Sequence, residues 1–470
     1  MTRLHPRFRT LIAVVVATLA IASCRTDWST WGNGVDRKGS NPINQGISPA
    51  NVGSLHHQWS VDLGGFINDA PVLAVDIPIN GAKRDVLYVG TELGEFYAVS
   101  TTGQILWQRN LGSHVANCPD TPGNTYGVQG SATFDRATNR VYVMGGAGKL
   151  YALNPSTGAV ASGWPVTVID DPVHNSTYGA TNLFNGHLYA VTASHCDQGP
   201  YHGSIIRVDI ATRAVSRYFV GDPNGPDGGG IWGWGGVSID PADGNVYAAT
   251  GNIFTNPESG DSVIRLTESL QLVAENAPGV HIGDDDFGST PTLFQKPGCP
   301  PQMVALQKNG SVYLYDRNNI ANGPRQRLVV AVGSDAAHTP VPVDEFIGVA
   351  AYSPETELVY VANTTGTPDN AFVHGMLALK LDANCKLALA WQTTAGASTF
   401  IPSAPSVNNG VVYYADGAAR HLHAFDATTG RELWTSGTEV SAPMFTQPVV
   451  VNGQLFEGAY DNHLHAWGLN

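Results

Sequence analysis

One recurring element limits the folds open to this chain more than any other feature. A short strand of the form Tyr, His or Arg, then small, then apolar runs into a polar turn carrying Thr-Gly, and a strand with Trp follows. Tyr97-Ala98-Val99 leads through Thr102-Gly103 to Trp107, Tyr151-Ala152-Leu153 through Thr157-Gly158 to Trp164, and His423-Ala424-Phe425 through Thr429-Gly430 to Trp434. Degenerate copies start near Arg207, Arg265, Tyr313 and Leu377, the last reaching Trp391, and an eighth reads His465-Ala466-Trp467. From Tyr97 to His465 the seven intervals average about 53 residues, the length of a propeller blade.

A second element precedes each of these: a strand entry of small residues, often with Pro, as in Ala70-Pro71-Val72, Ser131-Ala132, Thr290-Pro291-Thr292, Ala404-Pro405 and Gln447-Pro448-Val449. Small residues suit the innermost strands, which crowd around a central axis. The last copy lacks a Trp strand of its own, while His57-Gln58-Trp59-Ser60 is a Trp strand without a blade. Joining the two removes an open sheet edge that would invite aggregation. The expectation is therefore an all-β, eight-bladed β-propeller of four-stranded antiparallel blades, one domain over residues 24–470, closed by an N-terminal strand in the last blade. Trp59, Trp107, Trp164, Trp391 and Trp434 are expected to wedge between blades, each N–H bonded to a backbone carbonyl.

Composition agrees with a turn-dense β protein: 53 Gly and 29 Pro against 14% charged residues. A formal charge of −14 argues against nucleic acid or an anionic membrane surface as a partner. Residues 1–23 read as an export signal, with Arg3, Arg7 and Arg9 ahead of an apolar run from Leu11 to Ala22 too short to span a bilayer. Two cleavage readings compete. Ile21-Ala22-Ser23-Cys24 has the form of a lipobox, which would make Cys24 a lipid anchor and the sole membrane attachment; Ala20-Ile21-Ala22 is an acceptable site for plain secretion. The first is favoured because Cys24 otherwise lacks a reason, and both place the fold outside the cytoplasm. Cys118, Cys196, Cys299 and Cys385 then form an even set in a compartment that permits disulfides. Three connectivities are open, and proximity of the repeats favours Cys118–Cys196 with Cys299–Cys385. No C-x-x-C-H occurs, so no covalent c-type haem is expected. The H-x-H pairs His421/His423 and His463/His465 fall on equivalent repeat positions and read as blade features rather than zinc ligands.

The stretch Asp27-Trp28-Ser29-Thr30-Trp31-Gly32, followed by Ile47-Ser48-Pro49-Ala50-Asn51-Val52, resembles the opening of the pyrroloquinoline-quinone (PQQ) alcohol dehydrogenases, closest to the polyvinyl-alcohol-dehydrogenase-like branch without haem. Gly228-Gly229-Gly230-Ile231-Trp232-Gly233-Trp234-Gly235, continuing to Asp240-Pro241 and Tyr247-Ala248-Ala249-Thr250-Gly251-Asn252, is the most specific part of the likeness. The resemblance implies Trp234, rather than Trp232, as the residue stacked on the quinone, and Asn252 as ligand to a Ca²⁺ beside it. Ser194-His195-Cys196-Asp197-Gln198-Gly199 stands where the family has a metal-ligating Glu, which gives Ser194 a cofactor contact and Asp197 a metal contact.

Gly283-Asp284-Asp285-Asp286-Phe287-Gly288 resembles the family's catalytic loop. It implies Asp286 as the base that removes the hydroxyl proton and as a metal ligand, with Asp284 in reserve. Lys308 of Gln307-Lys308-Asn309-Gly310 would set its cation against a quinone carbonyl. One departure stands out: family members carry an Arg for a cofactor carboxylate after a vicinal Cys pair, whereas no Arg lies between Cys118 and Gly130, and Tyr126 holds that place.

The resemblance thus implies a PQQ- and Ca²⁺-dependent oxidoreductase that oxidises an alcohol, including a polymeric one, and passes electrons to a separate acceptor such as a cytochrome. The alternatives are a non-catalytic propeller lipoprotein of the same repeat, acting as a binding or assembly scaffold, and a polymer binder without redox chemistry. Neither needs Trp234, Asn252, Asp286 and Lys308 together.

Overall fold

The computed structural model describes residues 25–41, 43, 46–225, 228–253, 260–279, 285–332, 348–396, 402–417 and 419–469. The proposed signal, Cys24 and Asp284 lie outside these residues. Among the described residues, eight four-stranded antiparallel blades follow one another along the chain, the seventh extended by the short parallel strand Ser40–Asn41. Blade 1 is typical: Val72–Ile79 innermost, then Ala82–Gly90, Glu95–Ser100, and Ile105–Asn110 at the rim. The rim strand is the exposed one: Glu95–Ser100 is almost wholly buried whereas Ile105–Asn110 is mostly exposed. Blade 8 consists of Val449–Val451, Gln454–Gly458 and His463–Gly468, with His56–Asp62 as its outer strand. Trp59 pairs with Ala466 there, the closure expected from the orphan Trp strand.

The repeat motif has a direct steric meaning. The indole N–H groups of Trp59, Trp107, Trp391 and Trp434 each donate over 3.0 Å to a backbone carbonyl, of Thr101, Pro155, Ala427 and Leu55 respectively. The glycine of the Thr-Gly turn is what lets the ring in: a Cβ on Gly158, whose φ is +67°, would lie 2.7 Å from the Trp107 ring. Trp164 packs instead on Tyr142, ring centres 5.7 Å apart. At the axis the blades meet backbone to backbone, and a Cβ on Gly130 would fall 2.2 Å from the Gly179 carbonyl oxygen. Small residues at the strand entries are thus a requirement of closure.

The segment before blade 8's outer strand was read only as a family-like opening. In the structure it runs beneath the whole ring. Thr26 exchanges hydrogen bonds with Asn452 of blade 8, Trp28 with Leu73 of blade 1, and Phe134 of blade 2 donates to Ser29. Val35 accepts from Asn182 of blade 3 and Ile239 of blade 4, and Asp36 from Leu293 of blade 5. Lys38 accepts from Tyr352 of blade 6, and Ser40–Asn41 pairs in parallel with Ser406–Asn408 of blade 7. Arg37, fully buried, fastens this strap by donating to the carbonyls of Trp31, Thr181 and Val237. Burial lowers its pKa to about 9. The strap meets the innermost strands just past their entries, at Leu73, Phe134, Ile239, Leu293, Tyr352 and Val407. Because the blades are antiparallel, the loops that enter them share one end of the channel with the turns after the second strands.

Candidate active site at the channel mouth

Every site residue expected from the sequence and described in the structure lies on that end. Asp197, Asn252 and Lys308 come from the turns after the second strands of blades 3, 4 and 5. Trp232, Trp234 and Asp286 come from the loops entering blades 4 and 5. Residues far apart in sequence meet because the repeat returns each of these loops to the same rim.

Asp286 is the hub. Its side chain is buried, its Oδ1 accepts the Asn252 backbone N–H at 2.6 Å, and its Oδ2 accepts the Trp232 indole N–H at 2.9 Å. The Lys308 ammonium stands 3.6 Å from the same Oδ2 and 5.1 Å above the centre of the Trp232 ring. The Lys308 backbone N–H also donates to the Asp286 carbonyl at 3.0 Å. Gly251 is required beside this carboxylate, since a Cβ there would sit 2.7 Å from Oδ1. Trp232, not the indole that the resemblance singles out, is the one in contact with the Asp286–Lys308 pair. Trp234 lies two residues on, where it lines a small cavity with Trp31, Phe445, Asn68, Gln129 and Ser131. The Ser131 hydroxyl, 2% exposed, has no hydrogen-bond partner there.

Asp197 reaches the same field from blade 3. Its carboxylate accepts the Tyr201 hydroxyl at 2.5 Å. The surrounding protein raises its pKa although the residue stays accessible from the mouth; the Asp286 charge adds to the rise, while Tyr201 and Lys308 oppose it. Cys196 and Asp197 both adopt left-handed backbone angles, φ +51° and +50°, a conformation that costs a non-glycine residue about 1 kcal/mol or more. The Cys118–Cys196 disulfide holds this turn, with Cα atoms 5.6 Å apart; Cys299–Cys385 is the second bridge, at 5.7 Å. Both are the favoured pairings. Ser194 turns its hydroxyl back to the Gln198 carbonyl at 3.0 Å, so in this structure it braces the loop.

A polar arc that the sequence reading did not single out continues the rim. His195, fully buried, lies face to face with Tyr126, ring centres 3.5 Å apart. It is bonded through Nδ1 to the Tyr178 hydroxyl and through Nε2 to Gln129 Oε1 at 3.0 Å. Burial, and then the neighbouring His114, lower its pKa well below the usual value, so it is neutral. Gln129 donates onward to Glu92 at 3.2 Å, and Asn68 donates to the same carboxylate oxygen. The signal for these residues was positional. Glu92 and His195 occupy the turn after a second strand, as Lys308 and Asn252 do, and Asn68, Gln129 and Tyr178 stand four residues before an innermost strand, as Trp234 does.

The donor set fits a quinone with an adjacent cation at the Asp286 edge: an indole face, an ammonium, a carboxylate and, at Asp197, a second carboxylate near enough to feel the first. At the other edge, where family members present an Arg, the cavity wall offers the neutral Asn68, Gln129 and Ser131.

Comparison with known proteins bears on the fold that carries this site. A family model described as outer membrane protein assembly factor BamB matches residues 387–470. The chain is 23% identical over 488 residues to a polyvinylalcohol dehydrogenase from a Pseudomonas species, covering 92% of this chain and 71% of that protein. Among solved structures, a quinohaemoprotein alcohol dehydrogenase from Pseudomonas putida HK5 superposes with a TM-score of 0.70 at 17% identity, covering 94% of this chain and 80% of the other. A europium-containing methanol dehydrogenase superposes with a TM-score of 0.68 at 16% identity, covering 94% and 98%. The resemblance seen in the sequence therefore extends along nearly the whole chain, and the eight-bladed fold is shared.

Proposed function

We propose that this protein is an exported quinoprotein oxidoreductase acting on an alcohol, with PQQ and Ca²⁺ at the mouth of the propeller. The observation that carries the reading is the Asp286–Lys308–Trp232 cluster closed by the Asn252 N–H, on a fold shared with alcohol dehydrogenases. Trp232 and Trp234 supply flat apolar faces, and Asn252 and Asp197 with a free lone pair of Asp286 would hold the cation. When bound, the quinone supplies the acceptor for two electrons and the hydrogen leaving the alcohol carbon. Asp286 receives the hydroxyl proton at a carboxylate oxygen, held in place by its bonds to Trp232 and Asn252. Lys308 places a fixed positive charge where negative charge develops on reduction. Asp284 remains the reserve base of this proposal. Electrons leave to a separate acceptor such as a cytochrome, and Cys24 is the proposed lipid anchor.

The test is absorbance and dye reduction after incubation with PQQ and Ca²⁺. The wild type is expected to bind and to reduce dye with an alcohol present, and Asp286→Ala to bind yet stay inactive, because a base acts only in the chemical step. The family-model match favours a second reading, a binding or assembly scaffold. Failure of the wild type to bind PQQ at micromolar concentration would select it.

A further inference from the structure

Glu92 is the one carboxylate of the polar arc, and it is out of keeping with an anionic guest. It is 1% exposed, and it accepts from three neutral donors: the Asn68 amide, the Gln129 amide at 3.2 Å and the Gly127 N–H at 3.0 Å. No Lys or Arg among the described residues pairs with it. The titratable groups around it offer no positive charge either. Asp69 is buried beside it, the phenols of Tyr126, Tyr178 and Tyr460 feel its charge along with that of Asp120, and His195 beyond Gln129 is neutral. Lys308, the cation of the mouth, is already offset by Asp286.

Asn68 and Gln129 line the same cavity as Trp234, so Glu92 stands one hydrogen bond behind any ligand lying on that ring. PQQ carries carboxylates at the edge away from its reactive carbonyls. A carboxylate brought to this wall would face a buried anion across a low-dielectric interior.

We propose that Glu92 sets the charge class of the ligand: the channel takes a carboxylate-bearing quinone only together with a proton on Glu92. This rests on the cofactor reading above and adds to it a specificity residue. Burial has already pushed the Glu92 carboxyl up to about 7, with its three hydrogen bonds opposing the rise, so the proton is within reach near neutrality. An anionic ligand raises that value further. Affinity is then full below about pH 7 and falls as pH rises above it.

Dissociation constants for PQQ with Ca²⁺ are to be measured by quenching of tryptophan emission at pH 6, 7 and 8, in the wild type and in Glu92→Gln. The wild type is expected to weaken about tenfold from pH 6 to pH 8, as linkage to one group of this kind requires. Glu92→Gln should bind with the wild type's pH 6 affinity at every pH. The amide must turn a donor toward Gly127 N–H or the side-chain amides, so folding of the variant is not assured. Calorimetry on the wild type in buffers of differing ionisation enthalpy therefore reads proton uptake directly, with close to one proton per PQQ expected at pH 8. The trimethyl ester of PQQ, the same rings without charge, should show neither effect. PQQ binding with no pH dependence and no proton uptake overturns the role of Glu92 and leaves the cofactor reading standing. No binding of PQQ at pH 6 overturns both.

Discussion

Asp286→Asn is isosteric, and the geometry says it is not innocent. Both carboxylate oxygens of Asp286 face donors: Oδ1 the Asn252 N–H at 2.6 Å, and Oδ2 the Trp232 indole at 2.9 Å with the Lys308 ammonium at 3.6 Å. Asparagine has one acceptor oxygen, so its NH₂ must confront either the Asn252 N–H or the indole and ammonium. The attraction lost between unit charges 3.6 Å apart is roughly 4–5 kcal/mol at an effective dielectric of about 20. Both side chains are only 8% exposed, and breaking one partner of a buried pair costs about 3–5 kcal/mol. Asp286→Asn and Lys308→Met are each expected to lower unfolding free energy by about 3 kcal/mol. The double variant, which buries no lone charge, should lose at least about 1.5 kcal/mol less than the sum. Urea unfolding at pH 7, followed by tryptophan emission, measures all three. Additive effects, or single variants within about 0.5 kcal/mol of the wild type, would refute the claim that the mouth is held by a coupled buried pair.

Gly158→Ala should destabilise the protein by about 2–3 kcal/mol, from its left-handed backbone and the clash of its Cβ with Trp107, and the penalty should shrink in a Trp107→Ala background. An undiminished penalty there, read from urea midpoints, would place the strain elsewhere. Replacing Cys118 and Cys196 by Ser opens a loop of 78 residues and is expected to cost about 2–5 kcal/mol. PQQ binding should weaken in the same variant, since the left-handed turn bearing Asp197 loses its tie; unaltered affinity would show that the turn holds without the bridge.

The ring was legible because its cause is local and repeated. The Trp, the Gly that admits it and the small strand entries each answer to a contact that recurs in blade after blade, and the unmatched Trp59 strand told where the circle closes. The candidate site was legible only where it carries family-like residues. Asp286, Asn252 and Lys308 do meet. The resemblance singled out Trp234 as the stacking ring, and nothing in the motif says that the neighbouring Trp232 turns its indole N–H toward a carboxylate two loops away. Glu92 and Gln129 carry no motif, and His195 lies in a family-like stretch that assigns it no role; their chemistry comes from burial and from one another. The strap was hidden for a related reason: apart from the Arg37 side chain, the groups it offers the blades are mostly backbone N–H and C=O, and any sequence with the right φ and ψ supplies those.

The strap also dictates an order of events during synthesis. Blades 1 to 7 can form their hairpins as they emerge, from neighbours within about 50 residues of one another. Residues 26–41 and the strand His56–Asp62 emerge first, yet their partners Ser406–Asn408, Asn452 and His463–Gly468 appear some 350–430 residues later. Closing so long a loop adds little entropy beyond closing a short one, but finding the contact is slow. For that interval the inner edges of the blades and both faces of the final seam remain uncovered in an otherwise advanced intermediate. Yield should then be limited by protection of this late seam, and a substitution on the strap, such as at Arg37, should reduce the amount of protein recovered more than it lowers the melting temperature of the molecules that do close.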